Sequence, residues 1–280
     1  MSVTSRENHA FVNGIDVYYE EYQSIDCAPV FLLIHGFLSS SFSFRKLIPL
    51  LVKEFHVISI DIPPFGKSGK SKNYRYSYKN MAKTVIDLLD HLSIDSMYAA
   101  GHSMGGQILM NIMHQRPDFI KKTVLLCSSA YMPKANNPMI FSSYLPLFDR
   151  YIKRYLQKTG VVGNLENVVF DKSMINETMI NGYTEPFNND LIFSALTKLI
   201  RHREGDLTET VLRKIHTPCL LIWGEQDKIV PLHIGKRLAN DLPHSKFVIF
   251  KNAGHLIPEE MPMDVYVEIR KFILGGVKHD

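Results

Sequence analysis

A serine, an aspartate and a histidine, far apart along the chain, are the residue types that acyl-transfer chemistry needs. Ser103 lies in Gly101-His102-Ser103-Met104-Gly105-Gly106, Asp227 in Gly224-Glu225-Gln226-Asp227, and His255 in Asn252-Ala253-Gly254-His255. A serine hydroxyl attacks a carbonyl effectively only when a neighbouring base removes its proton. His255 can be that base, and Asp227 can fix its tautomer and stabilise the imidazolium that forms. The developing oxyanion needs two hydrogen-bond donors. The main-chain N–H of Met104, directly after the serine, is one candidate, and that of Phe37, on the loop after His35-Gly36, is the second. Gly-x-Ser-x-Gly alone carries little weight, because roughly one chain in ten of this length holds it by chance at ordinary Gly and Ser frequencies. Its value depends on what surrounds it.

The run ending at Met97-Tyr98 reads as a buried strand, and Gln107 to His114 repeats its apolar residues at helical spacing. A strand, a sharp turn and a helix are thus written around Ser103, as a hydroxyl exposed above a sheet on a strained turn requires. Gly101 and Gly105 stand where side chains would collide between strand and helix. The helix that follows points free N–H groups toward negative charge.

The other two residues also follow strands, Pro218–Trp223 before Asp227 and Lys246–Phe250 before His255. Earlier, Asn13-Gly14 between alternating β-formers signals a hairpin. Pro29–Ile34 is a continuous apolar run, as expected of a strand buried on both faces. Phe55–Ile60 and Lys122–Cys127 are further strands. Helices are expected over Phe42–Leu51, Tyr78–Leu92, Leu232–Asn240 and Met263–Leu274. Strands alternating with helices call for a parallel sheet. Loops leaving the C-terminal strand ends then gather at one edge, which would bring Ser103, Asp227 and His255 together.

The rhythm breaks from Tyr131 to about Arg213, where helical stretches at Ile140–Lys158 and Asn189–His202 replace strands and Met, Tyr, Phe and Asn dominate. This reads as an inserted helical cap over residues 131–213, with residues 1–130 and 214–280 forming one core.

Position disposes of the rivals. His244 precedes the last strand, at the wrong sheet edge; His279 is in the polar tail, and His233 opens a helix. Asp61 ends a strand but precedes the serine and suits a loop-structuring role; Glu225 is the alternative acid. His35 and His102 read as structural partners in their turns. Gly69-Lys70-Ser71 resembles the end of a phosphate-binding loop, but Pro64 stands where its first glycine belongs and no strand leads into it. No His-x-x-x-His or Cys-x-x-Cys pair suggests zinc. No cofactor and no metal are expected.

The chain has 280 residues, a net charge of +4 and 45% hydrophobic residues, enough to bury one large core. Its basic residues are scattered, so nucleic acid is not an expected partner. No apolar run approaches the ~20 residues that span a bilayer, and Met1–Asn8 lacks the apolar centre of a signal peptide. No membrane partner is expected. Cys27, Cys127 and Cys219 are odd in number and far apart, which fits a reduced, cytoplasmic setting.

With His35-Gly36-Phe37, Asp61 with Gly66-Lys67-Ser68, the Ser103 turn, Gly224-Glu225-Gln226-Asp227 and Gly254-His255 in place, the chain resembles cap-bearing α/β-hydrolase fold enzymes over almost its whole length. The resemblance implies an α/β fold with a mostly parallel sheet of about eight strands, flanked by helices. It is similar to the carboxylesterases, cofactor-free haloperoxidases and carbon–carbon bond hydrolases. Epoxide hydrolases and haloalkane dehalogenases of this fold carry aspartate at the nucleophile position, and Ser103 argues against both. The expected activity is cleavage of small carboxylic esters through an acyl-enzyme, the partner being a small-molecule ester or other acyl substrate. Carbon–carbon cleavage or perhydrolysis with the same three residues is the enzymatic alternative, and a ligand receptor with little turnover is the non-enzymatic one. Leu38, Tyr131, Met132 and Val230 are the expected substrate-pocket residues, by their places beside the strand-exit loops.

Overall fold

The computed structural model describes residues 5–23 and 27–275. His279 and the first four residues of the amino-terminal stretch lie outside the described residues. Asn13 and Gly14 both have positive φ, 49° and 75°, as a two-residue hairpin requires. They join β1 (Ser5–Val12) to β2 (Ile15–Tyr22), antiparallel with Val12 opposite Ile15. The sheet continues with β3 (Val30–Ile34), β4 (His56–Ile60), β5 (Met97–His102), β6 (Ile120–Leu126), β7 (Cys219–Gly224) and β8 (Ser245–Phe250). Its order is β1-β2-β4-β3-β5-β6-β7-β8. β2 also runs antiparallel to β4, and every later pairing is parallel. β3 lies between β4 and β5, so the chain winds outward in both directions from the β3–β5 pair. The crevice at such a reversal is where ligands bind in open α/β sheets.

The central strands are buried over most of their length, toward their C-terminal ends, because helices cover both faces. Phe31 to Ile34 and Cys219 to Trp223 have no exposure, and truncating a side chain such as Leu33 to Ala costs about 2–5 kcal/mol. The helices before the insertion are α1 (Ile48–Leu51), α2 (Tyr78–His91) and α3 (Met104–Gln115). α2 starts where the Ser77 hydroxyl accepts the Asn80 N–H, and it buries Met81, Val85, Leu88 and Leu89. Between β6 and β7 come α4 (Asn137–Ser142), α5 (Phe148–Val168), α6 (Glu177–Thr184), α7 (Leu191–His202) and α8 (Glu209–Leu212). α9 (Leu232–Asp241), α10 (Ile257–Glu260) and α11 (Pro262–Leu274) complete the chain.

Two expected helices are drawn differently. The Phe42–Leu51 stretch is a 3-10 turn at Ser41–Phe44 followed by the single turn of α1, with Pro49 in its first turn. The Ile140–Lys158 stretch is split at Leu147, whose φ is 63°. α5 then runs past Lys158 to Val168, kinking at Gly160 with φ 69° and ψ 169°. Within the described part of residues 131–213, pairing of β type is limited to an isolated bridge between Pro133 and Gly205. No helix among the described residues is long and apolar enough to cross a membrane.

Candidate active site

Ser103 occupies the turn between β5 and α3 with φ 51° and ψ −115°. A side chain is rarely tolerated at positive φ and costs on the order of 1–3 kcal/mol. Close packing on every side holds it there. A Cβ on Gly105 would lie 2.1 Å from the Ile34 carbonyl oxygen, and one on Gly101 would lie 2.6 Å from the Gly105 backbone. The Ser103 N–H donates to Leu126 O at 2.9 Å, and Ser103 O accepts the N–H groups of Gly106 and Ser129. Strand, turn and helix therefore fix one path for the backbone at the serine.

His255 and Asp227 meet over the same sheet edge. His255 Nδ1 is 2.8 Å from Asp227 Oδ2, and both side chains are buried. The other carboxylate oxygen accepts the N–H groups of Ile229 at 2.8 Å and Val230 at 2.9 Å, so the acid is oriented by its own loop. The His255 N–H donates to Val168 O at 2.7 Å, at the end of α5. One strand-exit turn lower, the His102 ring lies 4.7 Å from the His255 ring, and its Nε2 bonds the His255 carbonyl at 2.8 Å. Burial pushes the His102 pKa down to about 3, so this imidazole stays neutral and acts as a prop. The His35 ring accepts the Ile62 N–H on Nε2 at 3.0 Å, which leaves Nδ1 to donate to Gly36 O. Asp61 accepts the N–H groups of Ser41 and Lys67 on its two oxygens and so shapes its loop.

Ser103 and His255 line one cavity of about 290 Å³. No hydrogen bond joins the serine hydroxyl to the imidazole among the described residues; such contacts are often long before substrate binds. Gly36, Phe37, Leu38 and Ser39 form one wall and Ile229 and Leu256 another. The inserted segment supplies the rest, from Val161, Asn164, Leu165, Asn167 and Val168 on α5 to Tyr183 and Phe187. The Phe37 and Met104 N–H groups are engaged by no hydrogen bond among the described residues, and Met104 opens α3.

The pocket candidates divide. Leu38 lines the cavity. Tyr131 and Met132 do not: they border a separate hollow with Asp206 and Arg237. Tyr131 has φ 62°, which turns the chain away, and its hydroxyl donates to Asp241 while the Arg237 guanidinium covers its ring at 3.9 Å. Val230 is buried beneath the acid loop, where its carbonyl accepts Trp223 Nε1–H at 2.8 Å; its neighbour Ile229 faces the cavity instead.

Sequence reasoning missed the second half of α5 as a cavity wall. Val161, Asn164, Leu165 and Val168 share one helical face, but Gly160 interrupts the periodicity just before them. It also missed Glu260. The Glu260 carboxylate accepts the Gly254 N–H at 3.0 Å and the Phe170 N–H at 2.7 Å, stapling the histidine loop to the inserted segment. Burial raises the Glu260 carboxyl above its usual range, against those N–H donors.

Cys127 Sγ, a carboxylate oxygen of Asp227 and a ring nitrogen of His255 lie within 4.8 Å of one another. A metal there would need a thiolate. Burial and the neighbouring Asp227 push the Cys127 thiol well above its ordinary pKa, and the Asp227 oxygens already accept N–H donors. The chemistry of the donor set fits a proton-transfer pair better than a metal centre.

A family model described as alpha/beta hydrolase fold matches residues 29–262. Over 262 residues the chain is 50% identical to the uncharacterized hydrolase YugF of Bacillus subtilis (strain 168), covering 94% of this chain and 96% of that one. It is 26% identical over 219 residues to a 2-hydroxy-6-oxo-6-phenylhexa-2,4-dienoate hydrolase of Burkholderia cepacia, covering 76% and 74% of the two. Among solved structures, a thermophilic esterase from Thermogutta terrifontis is similar, with TM-score 0.78, 21% identity and coverage of 96% and 98%. The chain belongs to the α/β-hydrolase fold family. By that family, and by the names of its relatives, it is a hydrolase.

Proposed function

We propose that this hydrolase cleaves small, uncharged carboxylic esters with Ser103 as nucleophile, His255 as general acid and base, and Asp227 as the group orienting His255. Ser103 Oγ bonds to the ester carbonyl carbon while His255 Nε2 takes the hydroxyl proton. The carbonyl electrons move to oxygen, where the Phe37 and Met104 N–H groups stabilise the charge. Collapse of the intermediate breaks the C–O bond, and the imidazolium returns its proton to the leaving alcohol. Water then repeats the sequence on the acyl-enzyme, releasing the acid and restoring Ser103. The inserted segment acts as a cap that walls the cavity and keeps bulk water off the reacting centre. The observation that carries this reading is the 2.8 Å contact of buried Asp227 with His255, which lines one cavity with a serine held at positive φ.

The relation to a dienoate hydrolase favours carbon–carbon cleavage as the second reading. A dienoate brings a carboxylate, and burying an unpaired charge is costly. Among the described residues lining the cavity none is Lys or Arg, which supports the neutral ester over the dienoate. Ser103→Ala is expected to leave the fold intact and lower ester turnover by on the order of 10⁴-fold or more. Near-normal turnover by that variant would remove Ser103 from the mechanism.

A further inference from the structure

Helix α5 is apolar on two sides. Ile152 and Leu156 face inward and pack against the main core, as an amphipathic helix requires. On the outer side, Leu147, Tyr151 and Tyr155 recur at intervals of four residues and form a second stripe, 60%, 57% and 61% exposed. The Tyr151 and Tyr155 rings stack at 6.4 Å, and Phe148 meets Tyr151 at 5.6 Å. Phe141, just before α5, is 73% exposed. Contiguous apolar patches of this kind on single chains mark interaction sites.

The charge beside the stripe has one sign. Residues 134–165 contain five lysines and arginines against a single acidic residue, Asp149. Lys153 pairs with Asp190. Arg150, Arg154 and Lys158 are exposed along the edge of the tyrosine stripe and form no ion pair among the described residues. Scattered in the sequence as a whole, the basic residues are concentrated here by the helix. We propose that the outer face of α4 and α5 docks on an anionic phospholipid surface, with the Leu and Tyr side chains at the headgroup level and the basic edge against the lipid charge. The expectation of no membrane partner rested on the lack of a spanning segment, and docking needs none. A second copy of this chain is disfavoured as the occupant, because a two-fold contact would set the same basic edge against itself. The docking requires no catalytic step and stands apart from the ester reading.

The test is co-sedimentation of the full chain with vesicles of phosphatidylcholine alone and of phosphatidylcholine containing phosphatidylserine. Binding is expected only with phosphatidylserine and is expected to weaken with salt. Arg150→Gln with Arg154→Gln and Lys158→Gln should weaken it by on the order of 100-fold. Tyr151→Ser with Tyr155→Ser should also reduce it, while turnover of a water-soluble ester and the circular dichroism stay at wild-type levels in both variants. Equal sedimentation with both vesicle types, or wild-type binding by either variant, overturns the proposal. So does a concentration-dependent dimer that the tyrosine variant abolishes, or tighter binding to a single-stranded oligonucleotide than to the vesicles.

Discussion

The turn at Ser103 and the stretch from Leu147 to Tyr155 are both reached through a residue at positive φ, yet they are held in opposite ways. Around Ser103 two glycines let β5, α3 and the end of β3 approach until no Cβ would fit, and main-chain hydrogen bonds fill the remaining valences. Around Leu147 the backbone turns in the open, and the residues beyond it show apolar surface to solvent. Geometry that must be held to fractions of an ångström is built where packing leaves no alternative. At the histidine loop the inserted segment meets that rigid frame through the Val168 carbonyl, which accepts the His255 N–H, and the Phe170 N–H, which donates to Glu260. Elsewhere α7 packs into the main core through Ile192, Leu196 and Leu199. Leu147, Tyr151 and Tyr155 stand outside those contacts and are exposed to solvent.

Substitutions can break this contrast at graded strength. Asp227→Asn removes the charge that orients His255 and is expected to lower kcat by on the order of 10⁴-fold with little loss of structure; steady-state kinetics on a soluble ester would read it. Glu260→Gln keeps one acceptor oxygen for the two amides that the carboxylate now serves. It should reduce kcat/KM roughly 10-fold, in proportion to a small displacement of the histidine loop. An unchanged kcat/KM would make the staple dispensable. Met132→Ala, outside the cavity, should leave kcat/KM within about twofold. A larger drop would put Met132 in contact with substrate.

The legible parts of the sequence were those in which local chemistry and tertiary position agree. The Asn13-Gly14 hairpin, the apolar runs of β3 and β7, and the turn at Ser103 each depend on a few adjacent residues whose stereochemistry allows one outcome. Asp227 and His255 could be singled out because a parallel sheet brings its strand-exit loops to one edge. The pocket was less legible. Val230 was one residue away from Ile229, and adjacent residues on a turn point in opposite directions. Tyr131 follows a strand that ends at the site, but its left-handed backbone sends the ring to Arg237 and Asp241 on α9, contacts set by a helix that comes much later in the chain. Gly160 hid half of α5, since a helical period broken by a kink reads as an end.

Activation of Ser103 by His255 can be read from reaction with a fluorophosphonate probe followed by peptide mass mapping. One adduct is expected, on Ser103, formed rapidly in the wild type, absent in Ser103→Ala and strongly slowed in His255→Ala. Labelling that persists in Ser103→Ala, or that proceeds at the wild-type rate without His255, would mean that Ser103 is not a nucleophile activated by His255.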